Sequence, residues 1–306
     1  MAAVSGTILV SWRSGDIQFI NYVLPMNISV EQIFYFIELL KTLSDYDFSD
    51  YSEKSFARRI ERVLIDCRME FDDLIAKIKI DAPFREKVVK LITVNTTELF
   101  RDPPIWQLLR FRILPRLDLQ NKINIWHAGC STGQEVYSML ILLSELGMLD
   151  KVNVFATDLN TDVLDIARKG VYKYRHNIEY LNNFNKVIRE NPYNYEEYTE
   201  VPYSLYFDID KLKDTITMKP LLTRKPIFMK HDLVCDGNIF QTKFDIIICR
   251  NVLIYFNTRL QNKTFEMFHQ SLFKEGILIL GVHESMLGPI ANKFRKKGKF
   301  YTKADF

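Results

Sequence analysis

In the first third of the chain, apolar residues recur at the three- and four-residue spacing that is typical of amphipathic helices. The first of four such stripes begins at Ile33 and the last ends at Ile92. Ser29 stands where an N-cap is expected, and Pro83 falls in the first turn of the last helix. The pattern predicts a small helical N-terminal domain over residues 27–94. Residues 1–26 form an N-terminal extension of unknown role, with a candidate strand at residues 7–12.

Beyond residue 120, the pattern changes to short apolar runs separated by helical stretches. The runs lie at residues 123–127, 152–157, 227–230, 244–249 and 277–281, and the helical stretches lie at 134–147, 161–169 and 260–273. Buried strands that alternate with helices predict an α/β fold, a doubly wound Rossmann-like sheet, for residues 95–306. Residues 172–226 break this rhythm. Because structureless loops of such length are uncommon, they are predicted to form an inserted subdomain.

The composition excludes several classes of protein. Of the 306 residues, 47% are hydrophobic, so the chain can bury a large core and is not disordered. A net charge of +3 does not indicate a nucleic-acid partner, and no apolar run approaches the roughly 18 residues that a membrane-spanning helix needs. The four cysteines fit no zinc-ligand spacing, which predicts free thiols and no metal site. Without a secretory signal, a cytoplasmic location is expected.

Two features at the strand ends indicate a nucleoside ligand. The first strand of the sheet runs into the turn Gly129–Gly133, which is neither a GxGxxG motif nor a P-loop. Its glycines let the backbone approach a ligand, although a tight structural turn needs them equally. Asp158, at the tip of the second strand, can accept hydrogen bonds from ribose hydroxyls or can cap the next helix. Together they favour a ligand with a ribose but no phosphate, such as S-adenosylmethionine.

Polar residues at two further places point to the same edge of the sheet. Asn251 and Tyr255 follow the fourth strand, where such sheets bind ligands, while Asn257 is a candidate cap for the next helix. Before the sheet, Asn95 and Arg101 lie within seven residues of each other. That segment suits a polar ligand, and a capped helix start with a surface arginine is the alternative.

Five motifs occur in order along the chain. They are Asn95-x-Thr97-x-x-x-Arg101-Asp102, Gly129-Cys130-Ser131-Thr132-Gly133-Gln134-Glu135-x-Tyr137-Ser138, Ala156-Thr157-Asp158, Cys249-Arg250-Asn251-Val252-x-Ile254-Tyr255-Phe256 and Gly276-Ile277-Leu278-x-Leu280-Gly281-x-His283-Glu284-Ser285. In this combination the chain closely resembles the chemotaxis receptor methyltransferase (CheR) family over roughly residues 28–303. The resemblance implies methyl transfer from S-adenosylmethionine to glutamate side chains of chemoreceptor cytoplasmic domains, with S-adenosylhomocysteine as the product.

The resemblance also implies roles for individual residues. Arg101 and Tyr255 are expected near the transferred methyl group as catalytic residues. Arg58, Arg59 and Arg62 are expected to offer a basic face to the acidic receptor, with a merely solvated helix face as the alternative. The expected cofactor contacts are Asn95, Thr97, Arg101, Gly129, Glu135, Asp158, Asp232, Leu233, Asn251 and Val252.

The chain departs from the family pattern in places. Val136 stands where the family usually has proline, and Asp232 stands where it usually has asparagine. A carboxylate accepts but does not donate hydrogen bonds, so Asp232 cannot make the donating contact with adenine that an asparagine makes. His127 is interpreted as a structural core residue. A monomer is expected, and two alternative functions stay open: methylation of a protein outside chemotaxis, and a catalytically silent cofactor-binding module.

Overall fold

The computed structural model describes residues 7–11, 17–21, 28–93 and 95–304. The chain forms two compact units. One comprises Met1–Ser49 and Glu53–Ile92, and the other comprises Asp50–Ser52 and Thr93–Phe306. The short segment Asp50–Ser52 thus belongs with the C-terminal part of the chain. The domain boundaries predicted at residues 27–94 and 95–306 stay predictions.

The described part of the N-terminal extension consists of two strands. β1 (Thr7–Ser11) and β2 (Ile17–Asn21) pair antiparallel, in a register that joins Leu9 to Phe19. The candidate strand at residues 7–12 is therefore present as β1, up to Ser11. The rest of the predicted extension lies outside the described residues.

The described residues of the first unit form the four helices that the apolar spacing predicts. These are α1 (Val30–Leu43), α2 (Glu53–Cys67), α3 (Phe71–Ile80) and α4 (Ala82–Ile92). Ser29 caps α1 as predicted: its Oγ accepts the Gln32 N–H at 3.2 Å, and the Gln32 side chain accepts the Ser29 N–H at 2.9 Å. Helix α4 packs against both α2 and α3, so the stripes bury one another.

The second unit alternates strands with helices. Its strands are β3 (Ile123–Ala128), β4 (Val152–Asp158), β5 (Val171–Lys173), β6 (Phe207–Asp210), β7 (Thr215–Met218), β8 (Pro226–Lys230), β9 (Phe244–Cys249), β10 (Leu272–Leu280), β11 (Phe294–Lys297) and β12 (Phe300–Lys303). Its helices are α5 (Pro103–Leu108), α6 (Leu114–Leu117), α7 (Gln134–Glu145), α8 (Thr161–Lys169), α9 (Ile178–Phe184), α10 (Pro220–Thr223) and α11 (Thr258–Ser271). No helix within the described ranges combines the length and apolar character that a bilayer crossing requires.

A seven-stranded sheet, in the order β11-β12-β10-β9-β3-β4-β8, is the centre of this unit as far as it is described. The strands from β10 to β8 are parallel, and β12 and β11 extend the sheet antiparallel. On β3, Ile125 belongs to the apolar cluster that includes Leu140 of α7, while Trp126 belongs to the cluster that includes Phe265 of α11. Helices cover both faces, which confirms the predicted doubly wound α/β fold.

One strand begins earlier than the sequence predicts. The apolar run predicts a strand from residue 277, yet β10 already pairs with β9 at Leu272. The register shifts between Leu272 and Ile277, and Glu275 there has a φ of 58°. This irregularity interrupts the apolar pattern, so the sequence reveals only the regular second half of the strand.

The region that interrupts the sheet is ordered. Strands β5, β7 and β6 form a separate antiparallel sheet. Helix α9 continues into a π-helical turn at Asn185–Arg189. That turn is attached to the segment before β3: the Arg110 guanidinium donates to the carbonyls of Val187 and Ile188 at 2.7 and 2.8 Å. The predicted inserted subdomain is therefore fastened to the chain that leads into the main sheet.

Replacing Arg110 with Ala should loosen this attachment, since two carbonyls lose a charged donor. Such hydrogen bonds contribute about 1.5–3 kcal/mol each, so we expect the free energy of unfolding to fall by about 3 kcal/mol, the low end of the summed range, because Arg110 is only partly buried. Amide exchange over residues 185–189, followed by mass spectrometry, should become faster. Arg116 on α6 is exposed and serves as the control: Arg116→Ala should change neither quantity, and equal exchange rates in the two variants would contradict the expectation.

Candidate cofactor and active site

The turn Gly129–Gly133 lies where β3, β4 and the end of β9 meet. The N–H groups of Gly129 and Cys130 both donate to the Thr157 carbonyl at 2.8 Å. Gly129 has a φ of 79°, and a Cβ atom there would lie 2.4 Å from Cγ2 of Val252. A side chain larger than that of glycine therefore does not fit at this position. The same close packing places two of the predicted cofactor contacts, Gly129 and Val252, against each other.

The Asp158 carboxylate is held beside this turn. Its Oδ2 accepts the Ser131 N–H at 2.8 Å, and its Oδ1 accepts the Asn160 N–H at 3.0 Å. The N-cap of α8 is Asn160, whose side chain accepts the Asp162 N–H; the alternative role of Asp158 as the helix cap is therefore wrong. An ionised carboxylate has about four acceptor positions, so Asp158 retains capacity for further donors.

Burial raises the pKa of Asp158 above its ordinary value, although the backbone donors of Asn160 and Ser131 act against this shift. Next to it, Oγ of Ser131 is buried and has no hydrogen-bond partner among the described residues. A buried hydroxyl without a partner is unusual. The pair therefore fits a ligand that brings its own hydroxyl groups.

The segment that contains Asn95 approaches the same place through Thr93. The Asn95 side-chain amide and the Asn160 side-chain amide both donate to Oγ1 of Thr93, each at 3.2 Å. Tyr180 of α9 donates its hydroxyl to the Thr97 carbonyl at 3.3 Å. The helix expected from the alternative interpretation begins only at Pro103. Residues 95–98 are instead irregular chain: Thr97 is bonded to α9, and Asn95 is bonded to Thr93, which also contacts the residue that caps α8.

Arg250 has no role predicted from the sequence, yet it connects two of the predicted contacts, Arg101 and Glu135. Its side chain is 1% exposed. One guanidinium nitrogen donates to Glu135 at 3.0 Å, and the other donates to Asp102 at 2.6 Å and to the Arg101 carbonyl at 2.9 Å. Arg250 therefore holds the segment at residue 101 against the start of α7. The motif that contains Arg250 is visible in the sequence, but the role of this residue is not, because its partners Glu135 and Arg101 lie more than 100 residues away.

His127 belongs to this network as well. It is fully buried on β3, as its interpretation as a core residue predicts. Its Nδ1, however, lies 3.1 Å from Oε1 of Glu135, so it also positions a predicted cofactor contact. Burial acts to raise the pKa of Glu135, but the hydrogen bond with His127 and the charge of Arg250 outweigh it and keep that pKa below its usual range. Glu135 is therefore an ionised acceptor at neutral pH.

Arg101 is fixed by its backbone more than by its side chain. Its carbonyl accepts from Arg250 and from the Trp106 indole at 2.9 Å. Its partly exposed guanidinium has one hydrogen bond within the described residues, a long one of 3.5 Å to the Thr96 carbonyl. Of the five N–H donors that a guanidinium carries, most are therefore available to a ligand or substrate.

The turn after β9 carries Asn251, Val252 and Tyr255. Asn251 has a φ of 60°, and Tyr255 ends a short 3-10 turn. Asn257 caps α11, accepting the Leu260 N–H at 2.9 Å, so the capping interpretation of Asn257 is confirmed.

The segment Asp50–Ser52 pairs with the chain that follows this turn. Ser52 donates its N–H to the Tyr255 carbonyl at 2.8 Å, and Asn257 donates its N–H to the Asp50 carbonyl at 2.9 Å. The rings of Tyr51 and Phe256 lie 5.1 Å apart. The surroundings of Tyr255 thus include residues that are about 200 positions away in sequence.

Asp232 and Leu233 follow β8, beside Asp158. The preceding residue, His231, donates its N–H to the Asp158 carbonyl at 3.1 Å. Asp232 accepts the Val234 N–H at 2.8 Å, and burial raises the pKa of its carboxyl above the ordinary value. Leu233 is buried. The structure therefore brings these two residues to the edge of the sheet that holds Asp158.

The three arginines predicted to bind substrate lie on α2 of the first unit. Arg58 and Arg62 are exposed and Arg59 is partly buried. Arg62 forms a surface ion pair with Asp66 at 3.0 Å. Within the described residues, no group of three or more His, Cys, Asp or Glu side chains could hold a metal ion.

Gly129→Ala should disturb the cofactor edge of the sheet. A positive φ costs an alanine about 1–2 kcal/mol, and the clash with Val252 adds a cost typical of overpacking, about 1–3 kcal/mol. Gly147 is the matched control, because its φ is 67° but an added Cβ would meet nothing within 4 Å. Denaturant unfolding should give a larger loss for Gly129→Ala, and ligand titration should reveal weaker cofactor binding only in that variant. Equal losses would contradict the close approach.

Comparison with known proteins identifies the family. Residues 95–301 match the family described as CheR methyltransferase, SAM binding domain. The protein Cher3 of Pseudomonas putida is 35% identical over 252 residues, which cover 82% of this chain and 87% of that protein. The chemotaxis protein methyltransferase of Listeria monocytogenes is 30% identical over 258 residues, 83% of this chain and 90% of its own. This chain belongs to the CheR family of S-adenosylmethionine-dependent methyltransferases.

Proposed function

We propose that this methyltransferase acts on glutamate side chains in the cytoplasmic domains of chemoreceptors and forms glutamate methyl esters. Relatives named chemotaxis protein methyltransferases support that substrate class. The observation that carries the proposal is the state of Arg101: its backbone is held by Arg250 and Trp106, whereas its guanidinium keeps unused donors. A cation presented in this way suits a carboxylate substrate. We expect the reaction to take place in the cytoplasm and the protein to act as a monomer.

The residues at the edge of the sheet fit the cofactor. Asp158 suits the ribose hydroxyls, as does the Ser131 hydroxyl, which has no partner in the described part of the chain. The ionised Glu135 is a further acceptor. The bound cofactor supplies an electrophilic methyl group on a sulfonium. The contacts proposed to complete the site are those of Asn95, Thr97, Gly129, Asp232, Leu233, Asn251 and Val252.

The chemistry proposed for the protein is alignment rather than proton transfer. A glutamate side chain has an ordinary pKa of about 4.3, so it arrives ionised and needs no general base at neutral pH. Arg101 would orient this carboxylate, and Tyr255 would bound the methyl pocket. His127 does not suit a base, because it is fully buried and bonded to Glu135. Well-oriented reactants in a site drier than water gain rate without any acid or base.

The first unit offers a candidate contact with the receptor. Arg58 and Arg62 are exposed on α2, and Arg59 accompanies them. We propose that these arginines attract an acidic receptor surface. Exposed charges of this kind act mainly on the rate of encounter and are screened by salt.

Incubation with labelled S-adenosylmethionine and receptor cytoplasmic fragments should give base-labile methyl esters. Arg101→Ala should lower kcat/KM about 10- to 100-fold, as expected when hydrogen bonds to a charged group are lost, while Arg116→Ala should leave it unchanged. Label in a base-stable product would contradict the ester. Esters formed only on other proteins would point to a substrate outside chemotaxis, and cofactor binding without any transfer would indicate a silent module.

The affinity for cofactor should depend on pH through Asp158. The ionised carboxylate accepts ribose hydroxyls, and its pKa is raised by burial. As the pH falls toward and through that raised pKa, the carboxylate takes up a proton and loses acceptor capacity, so affinity should be highest above that pKa and decline below it. Calorimetric titration of S-adenosylhomocysteine from neutral to acidic pH measures this. Asp158→Asn should bind more weakly with a flatter profile, exposed Asp165→Asn should follow the wild type, and an unchanged profile in Asp158→Asn would refute the assignment.

A further inference from the structure

One carboxylate in the second unit is bound entirely by backbone N–H groups. Glu284 is 4% exposed, and it lies four residues beyond β10. Its Oε2 accepts two N–H groups and its Oε1 accepts three. The donors are Gly281 and Asn251, each at 2.8 Å, and Val252, Leu253 and Ile254, at 2.9, 2.8 and 3.3 Å.

The two chain segments are shaped for this approach. Asn251 adopts a φ of 60°, after which the next N–H groups turn toward one point. A Cβ atom on Gly281 would lie 2.8 Å from Oε2 of Glu284 and 2.9 Å from the Asn251 nitrogen, so only glycine fits there. Successive N–H groups that converge in this manner form a concave site for an anion. Here a side chain of the same protein supplies the anion.

We propose that Glu284 is a positioning residue for the cofactor site: its carboxylate is a built-in anion that holds residues 251–254 in the conformation that binds S-adenosylmethionine. This inference rests on the proposed cofactor contacts of Asn251 and Val252. Both contribute an N–H to Glu284, and Val252 also packs against Gly129. Glu284 itself need not touch the cofactor, because all five of its accepted hydrogen bonds come from protein.

The chemistry of the cradle predicts a specific behaviour when the carboxylate is removed. Several buried N–H groups would lose their acceptor at once, and each such loss is costly. Glu284→Ala leaves the donors facing a cavity of carboxylate size, which formate can enter. Glu284→Gln fills the cavity, so formate has no room to enter. Its amide keeps one carbonyl oxygen as an acceptor, but its NH₂ group would face N–H donors.

The experiment is calorimetric titration of S-adenosylhomocysteine into wild type and Glu284→Ala, with sodium formate or with sodium chloride at equal ionic strength. We expect Glu284→Ala to bind about tenfold or more weakly and formate to restore most of the affinity. Glu266 is the matched control, since its carboxylate pairs with Lys293 on the surface: Glu266→Ala should bind like wild type and ignore formate. Formate should also raise the unfolding temperature of Glu284→Ala alone.

The outcomes separate this inference from the proposed function. Wild-type affinity in Glu284→Ala would overturn the positioning role, and weakened binding that formate restores no better than chloride would overturn the anion cradle. If Glu284→Ala does not fold in chloride, recovery of folding in formate supports the cradle; failure in both leaves Glu284→Gln as the test, where wild-type affinity overturns the role. If wild type binds no S-adenosylhomocysteine, the proposed cofactor contacts fail, and formate-dependent stabilisation of Glu284→Ala still decides whether the cradle exists.

Discussion

The buried charge of Arg250 is the constraint on which the geometry of the site depends. A guanidinium with 1% of its side chain exposed needs acceptors close by, and here Glu135, Asp102 and the Arg101 carbonyl accept from its two terminal nitrogens, while Nε has no partner among the described residues. Removing one partner of such a group typically costs about 3–5 kcal/mol. This cost holds the segments that contain Arg101, Glu135 and Arg250 in one arrangement, although they are far apart in sequence. The predicted cofactor contacts Arg101 and Glu135 are held in position by it.

Two carboxylates at the same edge of the sheet illustrate how hydrogen bonding divides roles between like residues. Asp158 accepts two backbone N–H groups and is the more available of the two. Glu284 accepts five and has no capacity left for a ligand. Residue type alone therefore does not distinguish a binding carboxylate from a structural one. The two roles are distinguished by the number of protein N–H groups from which each carboxylate already accepts a hydrogen bond.

The sequence predicts most of the fold because its regular elements repeat with a fixed period. The four helices of the first unit and the main-sheet strands β3, β4, β8 and β9 follow from apolar spacing. The start of β10 is too distorted to leave a period, and the insert strands β5 and β6 are too short. In the site, local motifs predict Asp158 and Asn251. Arg250, Glu284 and the second role of His127 escape prediction, because each depends on partners that only folding brings near.

The segment Asp50–Ser52 has a consequence for where the catalytic unit begins. The family match spans residues 95–301, yet this unit also contains three residues from the stretch between α1 and α2. They supply a backbone bridge beside Tyr255, a side-chain acceptor for the residue that caps α11, and an aromatic neighbour for Phe256. A chain shortened to begin at Thr93 would leave a strand-like edge and the Phe256 ring uncovered next to Tyr255. The catalytic unit is thus discontinuous in sequence, and transferring it to another protein requires a fragment that a boundary at Thr93 leaves out.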